Sequence, residues 1–317
     1  MRTGIITALA AFALATAASL AEYVYEGDWK REFDEISGVA VAPDTGYVYV
    51  VDRDLDRVQY FKPKGSLLGE WGSQGQKNGE FNYPEHVAVA QNGNVYVADA
   101  GNDRIQYFTA SGSFVGKWGS PGGGKGEFRW PCGVAVAPNR NVYVTEYRNN
   151  RVQYFTSSGS VLGSWGREGT GPGEFNYPDG IAVSTTNSVY VAEYKNHRVQ
   201  YFTLTGSRRG GWGSEGPAPG QFLNPMGIAV GPDGSVFVAD SGNHRIQHFT
   251  ADGTFIEEWG TQGEQKGEFN RPRNIALTKD GSRFYVGDSG NNRIQYFKYT
   301  EPAVWPTSFG RVKALFK

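Results

Sequence analysis

Alternating apolar and polar positions return six times along this chain. One copy, residues 95–108, has the sequence VYVADAGNDRIQYF, in which two alternating segments flank a loop of four residues. Alternation of this kind, rich in β-branched and aromatic residues, is typical of β-strands. The arginine of each copy recurs at steps of 47, 47, 47, 47 and 48 residues, at Arg57, Arg104, Arg151, Arg198, Arg245 and Arg293. Such a period indicates one supersecondary unit, repeated and packed against its neighbours.

Each repeat predicts four strands. A short apolar strand comes first, then the VYVAD strand, the RIQYF strand, and a fourth strand that ends in Trp-Gly. Four short strands joined by tight turns are typical of a propeller blade. The first strand carries an alanine at its centre in every copy, which predicts innermost strands crowded about one axis: Ala40, Ala88, Ala135, Ala182, Ala229 and Ala276.

The ends of the repeat region predict how the ring closes. A Trp-Gly strand follows each of the first five copies but not the sixth, whereas an unmatched strand, YVYEGDW at residues 23–29, precedes the first. The N-terminal strand then becomes the outermost strand of blade 6 and leaves no open edge. The prediction is an all-β, six-bladed β-propeller of four-stranded antiparallel blades, closed by the N-terminal strand.

The repeats resemble the NHL repeat family. The segment 225–230 (PMGIAV), followed by 236–249 (VFVADSGNHRIQHF), fits that family's pattern closely, and the resemblance covers residues 22 to about 300. The resemblance implies a six-bladed propeller. It implies no single activity, because the family includes RNA-binding domains, protein-interaction domains, extracellular sensor domains and a peptide-amidating lyase.

The chain divides into three parts. Residues 1–21 resemble a secretory signal, with Arg2 at the start, an apolar run over 5–15, and Ser19-Leu20-Ala21 before a cut at Glu22. We therefore expect a secreted protein, periplasmic or extracellular. Residues 22–300 form the propeller, and residues 301–317 form a C-terminal tail whose role the sequence leaves open. No apolar run is long enough for a membrane span.

Charge and cysteine content narrow the class of partner. Removing residues 1–21 removes one basic residue from 31 and none of the 32 acids, so the mature chain has 30 against 32 and a net charge of −2. This balance does not favour a nucleic-acid surface. Cys132 is the single cysteine, so no internal disulfide is possible, and we interpret it as a small buried hydrophobe. We expect a monomer.

Each repeat also carries an acid five residues before its arginine. The acids are Asp52, Asp99, Glu146, Glu193, Asp240 and Asp288. One interpretation is a ring of carboxylates that binds a cation. The other, which we favour, is an acid–arginine pair that locks each hairpin, because a paired carboxylate has its charge already satisfied.

A metal-dependent enzyme is the alternative function that the resemblance suggests. In the amidating lyase, zinc is held by histidines directly after the proline that begins inner strands. Here those positions carry Ser37, Glu85, Cys132, Asp179, Met226 and Arg273, and none is histidine. The four histidines occupy three different repeat positions, at His86, His197, His244 and His248. No G-x-S-x-G elbow or P-loop is present, so we predict no catalytic residue, metal or cofactor.

The copies differ most in two loops that we expect on one face of the ring. The residue before the proline is aromatic in blades 2–4, and so is the residue after the acid in blades 3 and 4, where a cation follows it: Tyr83, Trp130, Tyr177, Tyr147, Tyr194, Arg148 and Lys195. The opposite side carries Arg53, Arg271 and Arg273. Tyrosine, tryptophan and arginine dominate binding hot spots, whereas the alternative is that these rings only pack between blades.

Two hypotheses follow. The first is a secreted, non-catalytic binding or sensor module that recognises a protein, peptide or glycan on the loop face of blades 2–4, with the basic side as a second candidate. The other is a propeller lyase or hydrolase that uses a metal in the central channel.

Overall fold

The structure, a computed structural model, describes residues 22–300 and contains six separate four-stranded antiparallel sheets. The signal segment and the tail that the sequence predicts lie outside the described residues. Blade 1 consists of β2 (Ile36–Val41), β3 (Val48–Asp52), β4 (Arg57–Phe61) and β5 (Leu67–Trp71). Blade 2 consists of β6 (Pro84–Val89), β7 (Val95–Asp99), β8 (Arg104–Phe108) and β9 (Phe114–Trp118). Blade 3 consists of β10 (Pro131–Val136), β11 (Val142–Glu146), β12 (Arg151–Phe155) and β13 (Val161–Trp165).

The remaining blades repeat the order. Blade 4 consists of β14 (Pro178–Val183), β15 (Ser188–Glu193), β16 (Arg198–Thr203) and β17 (Arg208–Trp212). Blade 5 consists of β18 (Ile228–Val230), β19 (Val236–Asp240), β20 (Arg245–Phe249) and β21 (Phe255–Trp259). Blade 6 consists of β22 (Pro272–Leu277), β23 (Arg283–Asp288), β24 (Arg293–Thr300) and β1 (Glu22–Lys30). Three short 3₁₀ turns follow β7, β19 and β23, at Ala100–Asn102, Ser241–Asn243 and Ser289–Asn291.

The core lies between successive blades and is built from the same positions each time. The tyrosine of the second strand is fully buried in blade 1, and its hydroxyl donates to a carbonyl in the next blade, from Tyr49 to Ala110 at 2.8 Å. The same bond leads from blade 6 back to blade 1, from Tyr285 to Pro63 at 3.1 Å. Buried apolar side chains and a satisfied hydroxyl therefore join consecutive blades.

The N-terminal strand closes the ring, as the sequence predicted. β1 pairs antiparallel with β24 and is the outermost strand of blade 6. Trp29 lies opposite Ile294, the place that Trp71 holds opposite Val58 in blade 1. Its ring is buried and lies 5.7 Å from that of Phe61 in blade 1. β1 therefore supplies both the missing backbone partner and the missing tryptophan.

Every predicted acid–arginine pair is present, and every acid in it is fully buried. In blade 2, Asp99 Oδ2 accepts from Arg104 Nε at 2.6 Å and from Gln106 Nε2 at 3.1 Å, and Oδ1 accepts from the Asn82 N–H at 2.8 Å. Since the carboxylate oxygens are occupied in this way, the geometry agrees with the structural interpretation. The pairs are Asp52–Arg57, Asp99–Arg104, Glu146–Arg151, Glu193–Arg198, Asp240–Arg245 and Asp288–Arg293.

The arginine of each pair also anchors the loop between blades. The guanidinium of Arg104 donates to the carbonyls of Gln76, Lys77 and Glu80 at 2.6, 2.9 and 2.8 Å. These carbonyls belong to the connection that leads from β5 of blade 1 to β6 of blade 2. One buried ion pair thus fixes both a hairpin and the path of the chain into the next inner strand.

We expect the ring to depend on β1. Deletion of residues 22–30 exposes the edge of β24 and removes the buried Trp29 ring, so the variant should lose its cooperative unfolding transition. Trp29→Ala alone should lower the free energy of unfolding by about 3–5 kcal/mol, as for other buried tryptophans. Urea denaturation followed by circular dichroism measures both effects.

The matched control for this deletion is removal of residues 302–317, which leaves every strand pairing described above in place. A protein that unfolds on loss of the tail yet tolerates loss of residues 22–30 would show that the closure is wrong.

We also expect the acid–arginine pairs to matter for stability alone. Asp240→Asn places an amide among donors from Arg245, Asn243 and Gln247, and should cost about 2–3 kcal/mol of unfolding free energy. Arg167→Ala is the control, because it breaks an exposed pair with Glu174 and should leave the unfolding free energy nearly unchanged. A bound cation lost from Asp240→Asn without loss of stability would instead favour the carboxylate ring.

Candidate functional site

Three repeat positions meet at one mouth of the central channel. They are the two residues on either side of the proline at the start of each inner segment (Ile36 takes its place in blade 1) and the residue after the hairpin acid. Unlike the core positions, they differ from blade to blade. The first position carries Glu35, Tyr83, Trp130, Tyr177, Asn224 and Arg271. The second carries Ser37, Glu85, Cys132, Asp179, Met226 and Arg273. The third carries Arg53, Ala100, Tyr147, Tyr194, Ser241 and Ser289.

The backbone presents the aromatic residues in an uncommon conformation. Tyr83, Trp130 and Tyr177 have φ of 48°, 56° and 55°, in the left-handed region, and each precedes a proline. Such a backbone is costly for bulky residues and is disfavoured before proline. The N–H groups of Tyr83 and Trp130 donate to Asp56 and Asp103 of the preceding blade, both at 2.7 Å. These charge-assisted bonds offset the strain and fix where each ring begins.

The five predicted aromatic residues form two groups. Tyr83 and Trp130 lie with ring centroids 6.4 Å apart. Tyr147 of blade 3 stacks on Tyr177 of blade 4 at 4.4 Å, and Tyr194 lies 6.3 Å from Tyr147. Tyr83 is 42% exposed and Tyr177 is 36% exposed, while the other three rings are half-buried. The rings therefore form a partly exposed arc across blades 2–4.

Cations of the protein lie over three of these rings. The Arg53 guanidinium is 4.7 Å from the ring centroid of Tyr83, and that of Arg148 is 4.7 Å from that of Trp130. The Lys195 ammonium is 5.0 Å from the ring centroid of Tyr194. The structure thus brings Arg148 and Lys195 onto the arc, as predicted, and adds Arg53, which we had placed with the opposite side. Cation–π contacts of this kind depend on the electron-rich ring face.

The predicted basic side contains an ion-pair network that the sequence did not indicate. Arg53 pairs with Glu35 at 2.8 Å and with Glu85 at 3.0 Å. Arg273 pairs with Glu85 at 2.8 Å and also with Glu35. Burial lowers the pKa of Arg273, but the charges of Glu85 and Glu35 together raise it by more than burial lowers it. The guanidinium therefore stays charged. Arg53 also pairs with Asp54 at 2.9 Å, so carboxylates neutralise both arginines, and Arg271 alone of the predicted three stays exposed beside a cleft of about 350 Å³.

Asp179 differs from its neighbours in the mouth. Among residues 22–300 no side-chain hydrogen bond or ion pair reaches its carboxylate, whereas its carbonyl oxygen accepts from the Thr145 hydroxyl at 2.5 Å. Burial raises the pKa of Asp179 to about 6, with Arg273 lowering it and Glu85 raising it. A carboxyl group with a displaced pKa in a cleft is a candidate functional group.

Tyr147 and Cys132 share this environment. Burial, together with the Asp179 and Cys132 side chains, raises the pKa of the Tyr147 hydroxyl well above its usual value. Burial also raises the pKa of the Cys132 thiol, and the side chain is almost fully enclosed, in agreement with a neutral, buried cysteine.

The histidines have separate positions and mostly structural contacts. His197 and His244 accept the N–H of Asn224 and Arg271 through Nδ1 at 3.0 and 3.1 Å, the role that Asp56 has for Tyr83. His248 stacks on Phe237 at 4.0 Å. Burial lowers the pKa of His86 to about 4. Within the described range, no group of three or more His, Cys, Asp and Glu side chains is placed to hold a metal ion.

Comparison with known proteins supports the fold and its repeats. Four segments match the NHL repeat model, at residues 81–108, 128–155, 175–202 and 222–249, which places NHL repeats in blades 2–5. No curated protein matches the chain. No helix among the described residues has the length and apolar character needed to cross a membrane.

Several solved structures share the fold. A streptogramin B lyase is 16% identical with a TM-score of 0.62, covering 88% of this chain and 98% of its own. A virginiamycin B lyase from Staphylococcus aureus is 17% identical with a TM-score of 0.61, covering 90% of each chain. XC5397 from Xanthomonas campestris, described as a gluconolactonase, is 15% identical with a TM-score of 0.64, covering 90% and 93%. At these identities the likeness concerns the fold alone.

We expect Asp179 to destabilise the protein at neutral pH. Its pKa of about 6 in the folded chain lies above the value of about 4 for an unfolded chain, so the folded state binds the proton more tightly. The penalty is absent below about pH 4, grows from pH 4 to 6 and is complete above pH 6. Asp179→Asn should therefore be more stable than the wild type by about 1–2 kcal/mol at pH 7.5 and equal to it at pH 4.

Urea denaturation from pH 4 to pH 8 tests this expectation. Asp44→Asn is the control, because that carboxylate is exposed at the opposite mouth and its substitution should leave the pH dependence unchanged. A less stable Asp179→Asn protein at pH 7.5 would show that the carboxylate has a stabilising partner.

Proposed function

We propose that this protein is a secreted, non-catalytic binding or sensor module whose loop face, over blades 2–4, recognises a peptide or a segment of another protein. The observation that carries the proposal is the partly exposed aromatic arc, bordered by Arg148 and Lys195. Exposed contiguous apolar surface on a soluble protein usually marks an interaction site. Aromatic and arginine side chains supply most of the energy in such sites.

Charge favours a peptide over a neutral glycan. A sugar ring stacks on an open aromatic face, but Arg53, Arg148 and Lys195 already cover one face of Tyr83, Trp130 and Tyr194. Tyr147 and Tyr177 cover one face of each other. The ion-pair network and the unpaired Asp179 lie beside these rings. A partner that carries charged side chains satisfies such groups, and a neutral sugar does not.

A lyase or hydrolase is the second candidate, and one observation favours it. The Asp179 carboxyl, with its raised pKa, lies near Tyr147 and Cys132 in the channel mouth, an arrangement that general acid–base chemistry also uses. Lyases and a gluconolactonase are among the solved structures of similar fold. Elemental analysis of the purified protein tests this candidate: zinc or calcium that stays at one equivalent through dialysis would favour the enzyme.

We expect Trp130→Ala and Tyr147→Ala to weaken binding of a partner by about 2 kcal/mol or more, roughly 30-fold in Kd, with little change in Tm. The wild-type protein is first screened on peptide and glycan arrays, and calorimetry then measures each hit with each variant. A hit found only among glycans would replace the peptide assignment.

Tyr299→Ala is the matched control. The exposed fraction of Tyr299, 39%, is similar to those of Tyr83 and Tyr177. Tyr299 lies at the opposite end of the ring, where its N–H donates to the carbonyl of Ser282 in a turn. Its substitution should leave the affinity unchanged. Unchanged binding together with a large drop in Tm for Trp130→Ala would show that the rings only pack between blades.

A further inference from the structure

One carboxylate of the channel mouth stays outside the ion-pair network. Arg53 and Arg273 each pair with Glu35 and Glu85, and Arg53 also pairs with Asp54 at 2.9 Å. Asp179 is left without a pair in the part of the chain that the structure describes. Arg273 acts on it only at longer range, because that guanidinium is already shared between the two glutamates.

Aromatic rings flank the unpaired carboxylate on the side of blades 3 and 4. Tyr147 and Tyr177 stack across the boundary between these blades, next to Tyr194. Asp179 lies on the inner strand β14, two residues after Tyr177, with Pro178 between them. Tyr147 is near enough for the Asp179 charge to raise the pKa of its hydroxyl, after the effect of burial.

A carboxylate beside tyrosine rings favours an ammonium group as its ligand. A carboxylate supplies a charge-assisted hydrogen bond to an ammonium group, and tyrosine faces attract the same cation while the rings cover its aliphatic stem. Aromatic rings of the mouth already bind cations of the protein itself. The contacts are Arg53 over Tyr83, Arg148 over Trp130 and Lys195 over Tyr194. An anionic ligand would be repelled by the Asp179 carboxylate, and Arg273, the cation that acts on this carboxylate, is already shared between two glutamates.

We propose that Asp179, Tyr147, Tyr177 and Tyr194 form a subsite for a primary alkylammonium group, presented as the lysine side chain of a peptide. The Nζ group donates to the carboxylate oxygens of Asp179, and the methylene stem lies against the tyrosine rings. The inference rests on the proposed function, because it names the feature of the peptide that the loop face selects.

The subsite has a pH dependence of its own. The groups that face Asp179 are Arg273 on β22, Glu85 on β6, Cys132 on β10 and Tyr147 after β11. Arg273 stays charged, and Cys132 and Tyr147 stay neutral because their pKa values are raised. Asp179 is therefore the group that changes charge near pH 6, and its ionised form is the one that binds an ammonium group.

The test compares three probes by fluorescence and NMR titration of the full chain. They are the capped pentapeptide Gly-Gly-Lys-Gly-Gly, the same peptide with norleucine in place of lysine, and n-butylamine. We expect the lysine peptide to bind at least tenfold more tightly than the norleucine peptide at pH 7.5. Its affinity should fall about tenfold between pH 7.5 and pH 5. A lysine peptide that binds more tightly than n-butylamine supports a peptide source, and equal affinities assign the subsite to free alkylamines instead.

Variants assign the effect to the carboxylate. Asp179→Asn should reduce the affinity for the lysine peptide to that for the norleucine peptide and remove the pH dependence. Circular dichroism confirms that this variant is folded. Tyr177→Leu should weaken the lysine peptide at least fivefold and keep the pH dependence, and Asp44→Asn at the opposite mouth should change neither.

Two results would overturn the inference. One is equal binding of the lysine and norleucine peptides, and the other is unchanged affinity in Asp179→Asn. If array ligands still lose affinity on Trp130→Ala while the lysine peptide does not bind, the inference fails and the proposed function stands. If Trp130→Ala and Tyr147→Ala leave the array ligands unaffected as well, the proposed function fails with it.

Discussion

The buried carboxylate–guanidinium pair of each blade is the interaction on which the rest of the structure depends. In blade 3 the Glu146 carboxylate accepts from Arg151, and it also accepts the N–H of Arg129, the residue before Trp130. The next residue, Tyr147, donates its N–H to the carbonyl of Trp130 at 3.0 Å. A buried pair of this kind is a weak source of net stability, because desolvation offsets its attraction, but it imposes a specific geometry. Here it positions the two loops that carry the site.

This anchoring separates what the fold requires from what the mouth presents. The acid, the arginine and the buried tyrosine have the same contacts in nearly every blade, so their replacement is felt throughout the ring. The three mouth positions project from the same backbone yet carry residues as different as Arg53, Ala100 and Tyr147 at one of them. A rigid scaffold with interchangeable loop residues is how many binding sites are built. The aromatic arc therefore reflects the choice of side chains on a constant frame.

Repetition is the reason that the fold was predictable from the sequence. Six copies in register indicate which positions face the core, and the surplus strand at residues 23–29 indicates the closure, because an open edge is unfavourable. The same reasoning predicted the acid–arginine pairs and the positions of the aromatic residues. All of these features repeat, or are simple departures from the repeat, and a single sequence shows departures clearly.

The contacts that do not repeat were not predictable in this way. The network of Arg53, Glu35, Glu85 and Arg273 joins blades 1, 2 and 6, and two of its partners are 238 residues apart. No period in the sequence indicates that these four side chains meet. The basic side that the arginines suggested is therefore largely neutralised. The sequence marks Asp179 only as a position without histidine, because the groups that set its pKa, Arg273 and Glu85, belong to other blades.

The Asp179 carboxylate lowers the stability of the protein and also provides a group that can bind a cation. Among the described residues the ion-pair network neutralises Arg53 and Arg273 without Asp179, so the network gives no stability reason for a half-buried carboxylate at this position. Burial of an unpaired carboxylate costs free energy, which the raised pKa of Asp179 expresses. Ionisable groups with displaced pKa values in clefts cluster at functional sites. An amide at position 179 would fit the same space without the cost of desolvating an ionised carboxylate. The carboxylate is therefore the feature of the mouth that most directly supports a cationic partner.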